Sequence, residues 1–91
     1  MAVTSADIDR GVEILKTFGA SKVWLFGSAL TRPGAARDLD LACEGLADSD
    51  YYRAVAKLTR ELGVSVDLVH LSIDSPRRRF IANTGKLIYA A

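Results

Sequence analysis

Apolar residues along this chain alternate between two spacings. Ile8, Val12, Leu15 and Phe18 recur every three to four positions, which places them on one helical face; Thr4 or Ser5 supplies the N-cap and Gly19 ends the pattern. Residues 22–27, KVWLFG, form instead a short continuous run rich in β-forming side chains, and residues 38–43, DLDLAC, form a second. After Asp48-Ser49 the helical spacing returns at Tyr51, Val55, Leu58 and Leu62, with Gly63 placed to close the helix. Residues 64–71, VSVDLVHL, predict a third strand. Ser75 before Pro76 marks a capped helix start, and that helix runs through Asn83. The closing GKLIYA fits either a fourth strand or a tail that faces a partner.

Helices alternating with strands predict an α/β fold, a small sheet with helices packed on it, formed by residues 1–91 as a single domain. Residues 29–37 are too few for a crossover helix with its loops. The first two strands are therefore expected to run antiparallel, any helix between them to be very short, and the sheet to be mixed.

Charge and cysteine content narrow the function classes. Twelve basic and eleven acidic residues give a net charge of +1, so the overall balance does not call for duplex DNA or an acidic membrane surface. A nucleotide, if bound, must be held by local geometry. The one cysteine, Cys43, lies in an apolar segment and can form neither an internal disulfide nor a zinc cluster, which fits a reducing compartment. The N-terminal MAVTSADIDR lacks the pattern of a secretory leader, and no apolar run is as long as a membrane span. A soluble, cytoplasmic protein is expected.

The candidate chemistry sits where the strands meet their loops. Strand parity puts Asp38 and Asp40 on one face, their Cα atoms roughly 7 Å apart, while Leu39 and Leu41 point into a core. A third acid, Asp67, interrupts the apolar run of the third strand, where a lone carboxylate is costly to bury. Acids so placed ask for cations. Mg²⁺ binds through one or two carboxylates together with substrate phosphates, and a pair of such ions roughly 4 Å apart activates an attacking hydroxyl and neutralises a leaving pyrophosphate. Asp38 and Asp40 are the expected shared ligands, with Asp67 on the nucleophile side drawing off its proton. Gly27 lets the backbone approach a phosphate, and Ser28 can donate to the β- and γ-phosphates. No Walker A loop is present, which argues against a P-loop ATPase.

Plainer readings stand beside these. The three acids can instead pair with Arg32, Arg37 or Lys22 in a surface network. His70 has no second histidine to make a metal site and reads as structural or surface. Arg77, Arg78 and Arg79 can meet RNA or a triphosphate, but a basic triplet reads first as a solvated helix face. Tyr51, Tyr52 and Tyr89 read as core or interface, and Trp24 as core.

Taken together, LFGS, then DLDL after a nine-residue spacer, then VDLVHL resemble the signature of the polymerase-β-type nucleotidyltransferase superfamily, and the small size is most similar to its minimal nucleotidyltransferase (MNT) proteins. Gly27 and Ser28 match the phosphate-binding pair, Asp38 and Asp40 the metal pair, and Asp67 the third acid. The resemblance implies a palm-like mixed sheet, Mg²⁺ as two ions with Mn²⁺ as a substitute, and transfer of a nucleoside monophosphate from an NTP. Many minimal members are antitoxins beside a HEPN-domain ribonuclease toxin, and some transfer AMP from ATP to a tyrosine of that toxin. Two features depart from the pattern. The spacer is one residue shorter than is usual in these antitoxins, and Arg37 stands before the first acid where serine is common; it can pair with a carboxylate or a substrate phosphate.

Three functions follow. The leading one is an active nucleotidyltransferase that modifies and silences a HEPN toxin. The second is a catalytically inert MNT-fold module that neutralises its partner by covering it, and intact acids favour the enzyme over this. Transfer to a small molecule normally draws on a second domain for the acceptor pocket. Homo- and hetero-oligomers are both compatible with the sequence, and DNA is not an expected partner.

Overall fold

The computed structural model describes residues 2–71 and 75–91. Its elements, in chain order, are α1 (Ser5–Thr17), β1 (Lys22–Phe26), α2 (Ser28–Thr31), β2 (Asp38–Glu44), α3 (Asp48–Leu62), β3 (Ser65–His70), α4 (Pro76–Thr84) and β4 (Lys86–Ala90). Among the described residues no helix is long and apolar enough to cross a membrane.

Local chemistry fixes the helix ends. Thr4, not Ser5, caps α1: its hydroxyl accepts from the Asp7 N–H while Asp7 accepts from the Thr4 N–H, a reciprocal capping box. No side chain caps α3, whose N-cap is Ala47; Asp48 and Asp50 in its first turn complement the helix dipole instead. Gly63 closes α3 in the left-handed conformation, at φ 67°. Ser75 caps α4 by accepting from the Arg78 N–H, with Pro76 at the first helical position, and the helix continues one residue past Asn83.

The four strands form one mixed sheet in the order β3-β2-β1-β4. β1 pairs antiparallel with both β2 and β4, while β2 and β3 are parallel, joined through α3. The short connection after β1 has room for the single turn of α2 and no more, so β2 returns beside β1 as expected. β3 is one residue shorter at each end than residues 64–71. GKLIYA, open between strand and tail on sequence grounds, is an edge strand. Its register slips where Val23 faces Tyr89 but Trp24 faces Leu87, leaving Ile88 as the extra residue of a bulge.

Each sheet face has its own apolar layer. On one face Val23, Leu25, Leu39, Leu41, Cys43 and Leu68 pack under Ile14 and Leu15 of α1 and Ala54, Leu58 and Leu62 of α3. On the other, Trp24, Ala42 and Val69 lie under Ile81 of α4. Burial pushes the Cys43 thiol up to about 11, consistent with an inert core residue.

α4 is held by more than Ile81. Arg78 is not part of a solvated face: its guanidinium pairs with the largely buried Glu44 and lies over the Trp24 ring, 5.8 Å from the centroid. This clamp ties the helix to the C-terminal end of β2. Arg78→Ala should strand the Glu44 carboxylate and lose the ring contact, costing about 2 kcal/mol. The expected melting temperature is roughly 5–15 °C lower. Phe80→Ala, at a position 65% exposed, should stay within about 0.5 kcal/mol of the parent in the same melts.

Candidate functional site

The pleat of β2 separates its acids from its core. Leu39, Leu41 and Cys43 are buried on the α1/α3 face, so Asp38, Asp40 and Ala42 point to the α4 face. In β3, Leu68 belongs to the α1/α3 layer and Val69 to the α4 layer, which puts Asp67 on the α4 face as well. Asp40 and Asp67 are register partners across the parallel β2–β3 pair, and Asp38 lies opposite Ser65. The three carboxylates therefore share one face at one end of the sheet, past the cover that α4 provides.

Gly27 closes the other side of Asp40. β1 ends at Phe26, opposite Asp40, and the chain then turns through Gly27 at φ 69°. A Cβ built on Gly27 would stand 2.1 Å from the Asp40 Oδ2 atom, so the backbone approaches the carboxylate as only glycine allows. Ser28, half-buried, opens α2 directly afterwards. Arg37 is exposed immediately before β2.

The electrostatics of this corner are unbalanced. Among the described residues none of Asp38, Asp40 and Asp67 takes part in an ion pair, so the surface network with Arg32, Arg37 or Lys22 does not form. Partial burial beside Gly27, with the negative charges of Asp67 and then Asp38, raises the Asp40 pKa from its ordinary value. The side chains are not closed into a cage: among the described residues no three His, Cys, Asp or Glu groups are gathered so as to hold a metal ion by themselves. An open, oxygen-only face fits a hard cation that takes its remaining ligands from substrate phosphates and water.

His70 points away from these acids, to the α3 side of β3. Its Nδ1 lies 3.4 Å from an Asp48 carboxylate oxygen, and its ring stacks on Tyr51 at 6.4 Å between centroids. Tyr51 donates a hydrogen bond from its hydroxyl to the Leu68 carbonyl at 2.6 Å. With Tyr52, Asp67, Arg77 and neighbouring backbone, these groups line an open cleft of about 460 Å³ along the outer edge of β3. Sequence reasoning passed over this cleft. Its one signal was Tyr51-Tyr52 at a helix start, and that does not say which strand the pair will meet.

No protein-family model matches the chain, and no curated protein does. Solved structures do. A chain in a crystal structure of the MntA–HepT toxin–antitoxin pair superposes with a TM-score of 0.72 at 20% identity, over 97% of this chain and 74% of that one. A toxin–antitoxin structure with AMP-PNP gives a TM-score of 0.74 at 22% identity, over 98% and 75% of the two chains. A complex of tri-AMPylated Shewanella oneidensis HEPN toxin with MNT antitoxin gives 0.72 at 20%, over 98% and 74%. The chain thus has the mixed-sheet nucleotidyltransferase fold of these MNT antitoxins.

The raised pKa of Asp40 sets a sign for stability. The folded state holds this proton more tightly than the unfolded chain does, so ionisation destabilises the fold as pH rises through the elevated value. Below the unfolded carboxylate pKa the penalty is absent. Asp40→Asn should therefore melt higher than the parent at neutral pH, and the difference should shrink as pH falls through the Asp40 titration. Melting curves between pH 3 and 7 test this; a variant less stable at pH 7 would refute it.

Proposed function

We propose that this chain is an MNT-type nucleotidyltransferase, with residues 1–91 as one catalytic domain, that transfers AMP from ATP to a hydroxyl of a protein partner. The partner is a HEPN-domain toxin, the acceptor a tyrosine of it, and the chain acts as its antitoxin in the cytoplasm. The carrying observation is the set of three carboxylates on one sheet face with no ion-pair partner among the described residues, one of them pressed against Gly27. The AMP-PNP bound in one structural neighbour and the AMPylated toxin in another support the nucleotide and the acceptor class.

Each residue has a role in that reading. Gly27 lets the triphosphate approach the backbone, and Ser28 donates to its β- and γ-phosphates. Arg37, at the mouth of β2, offers a guanidinium to a phosphate oxygen. Asp38, Asp40 and Asp67 would hold Mg²⁺, as two ions or with Mn²⁺ in its place, whose charge offsets that of the phosphates and lowers the pKa of a bound hydroxyl. Asp67, on the strand beyond the acid pair, takes the proton of the acceptor hydroxyl. The acceptor oxygen forms its bond to the α-phosphorus, the bond from that phosphorus to the α,β-bridging oxygen breaks, and pyrophosphate leaves with the electron pair.

The test pairs Asp40→Asn with the parent. The substitution keeps the shape of the side chain but removes the charge on which phosphoryl-group stabilisation depends, so AMP transfer should fall by at least about 100-fold. Binding to the partner should survive. The measurements are partner mass after incubation with ATP and Mg²⁺, and growth rescue of cells expressing the toxin. Full rescue by both proteins with no added nucleotide mass would replace the enzyme by a module that neutralises by covering.

A further inference from the structure

The pairing of β2 is uneven along its length. The β1–β2 register ends where Phe26 faces Asp40, so Asp38 is flanked by a strand on the β3 side alone, opposite Ser65. Arg37 stands before the strand begins. Two residues that the proposed chemistry uses thus depend on the connection that delivers them, and exposed backbone with few hydrogen bonds is the first to open.

Two hydrogen bonds inside that connection are local: the Arg32 N–H donates to the Ser28 carbonyl and the Ala35 N–H to the Arg32 carbonyl. A third reaches across the molecule. The Val3 N–H donates to the Ala36 carbonyl at 2.7 Å, and both side chains are buried in the main core, Val3 at 5% and Ala36 at 2% exposure. This strap is itself anchored, because the next residue, Thr4, is locked by its capping box to the first turn of α1. α1 in turn packs on the sheet through Ile14 and Leu15. A rigid support therefore meets the chain one residue before Arg37 and two before Asp38.

We propose that Val3 is a positioning residue, whose N–H, by holding the Ala36 carbonyl, sets where Arg37 and Asp38 stand toward the metal and the triphosphate. The proposal rests on the nucleotidyltransferase reading for what those two residues hold. The segment of residues 3–4 then belongs to the working site although it touches no reacting atom.

The test replaces the donor. Val3→Pro removes the N–H while keeping an apolar side chain of similar size, and Val3→Ala keeps the N–H while shortening the side chain. Val3→Pro should speed amide hydrogen exchange at Arg37 and Asp38 but not at Asp67. By titration calorimetry with a non-hydrolysable ATP analogue present, it should weaken Mg²⁺ binding roughly 10-fold, the scale of a lost support behind a metal ligand. AMP transfer should need correspondingly more Mg²⁺, with most of kcat recovered at saturation. Val3→Ala should melt lower than the parent yet bind Mg²⁺ as the parent does, because the bond survives.

Should Val3→Pro fail to fold, the parent alone decides: coupling is reciprocal, so Mg²⁺ with the analogue should slow exchange of the Val3 amide itself. Val3 exchange that ignores these ligands, or equal Mg²⁺ affinity in Val3→Pro and the parent, would overturn the proposal. Affinity lost to the same degree in Val3→Ala would overturn it too, by making the effect one of packing. Looser Arg37 and Asp38 with weaker Mg²⁺ binding in Val3→Pro, but no AMP transfer by the parent, would leave the strap standing and defeat the nucleotidyltransferase reading.

Discussion

The alternation of β2 governs this molecule. One strand buries Leu39, Leu41 and Cys43 completely under two helices, and the same pleat forces Asp38 and Asp40 onto the opposite face. A one-residue slip would drive both acids into the core, so packing of the leucines and placement of the carboxylates are a single event. The parallel neighbour then brings Asp67 beside Asp40, and the antiparallel neighbour delivers Gly27 to its other flank. A site assembled from three distant stretches of chain is fixed by one hydrophobic pattern.

That dependence explains what could be read from the sequence. The element order, the antiparallel return after a short connection, and the shared face of Asp38 and Asp40 all follow from local spacing and loop length. The register that pairs Asp40 with Asp67 does not, because the two strands are joined across α3 and their pairing is not fixed by any local spacing. Arg78 illustrates the same limit. In the string it is the middle of a basic triplet, and only the meeting of α4 with β2 shows that it faces Glu44 and Trp24. The cleft beside β3 was hidden for this reason as well: its tyrosines sit on one element and its strand on another.

The distribution of charge separates scaffold from site. Glu44, at the far end of β2, is matched by Arg78, and Glu61 by Arg10 and Lys57, whereas the acids at the near end are left to repel one another. A strand can carry acids at both ends and neutralise only one set. At the unmatched end the proposed cation or phosphate-bound metal would gain most, since stability withheld from the free fold would be returned on binding. The proposed site thus lies where the fold alone is least satisfied.

The bulge at Ile88 has a bearing on solubility. A sheet of this kind ends in strands whose outward N–H and C=O groups invite another chain to pair with them. On β4 the extra residue throws those groups out of phase, so an incoming strand could match the first half of the edge or the second, but not both. Growth of the sheet into a fibre-like stack is thereby interrupted at its last strand, in a molecule whose small net charge gives little electrostatic protection against self-association.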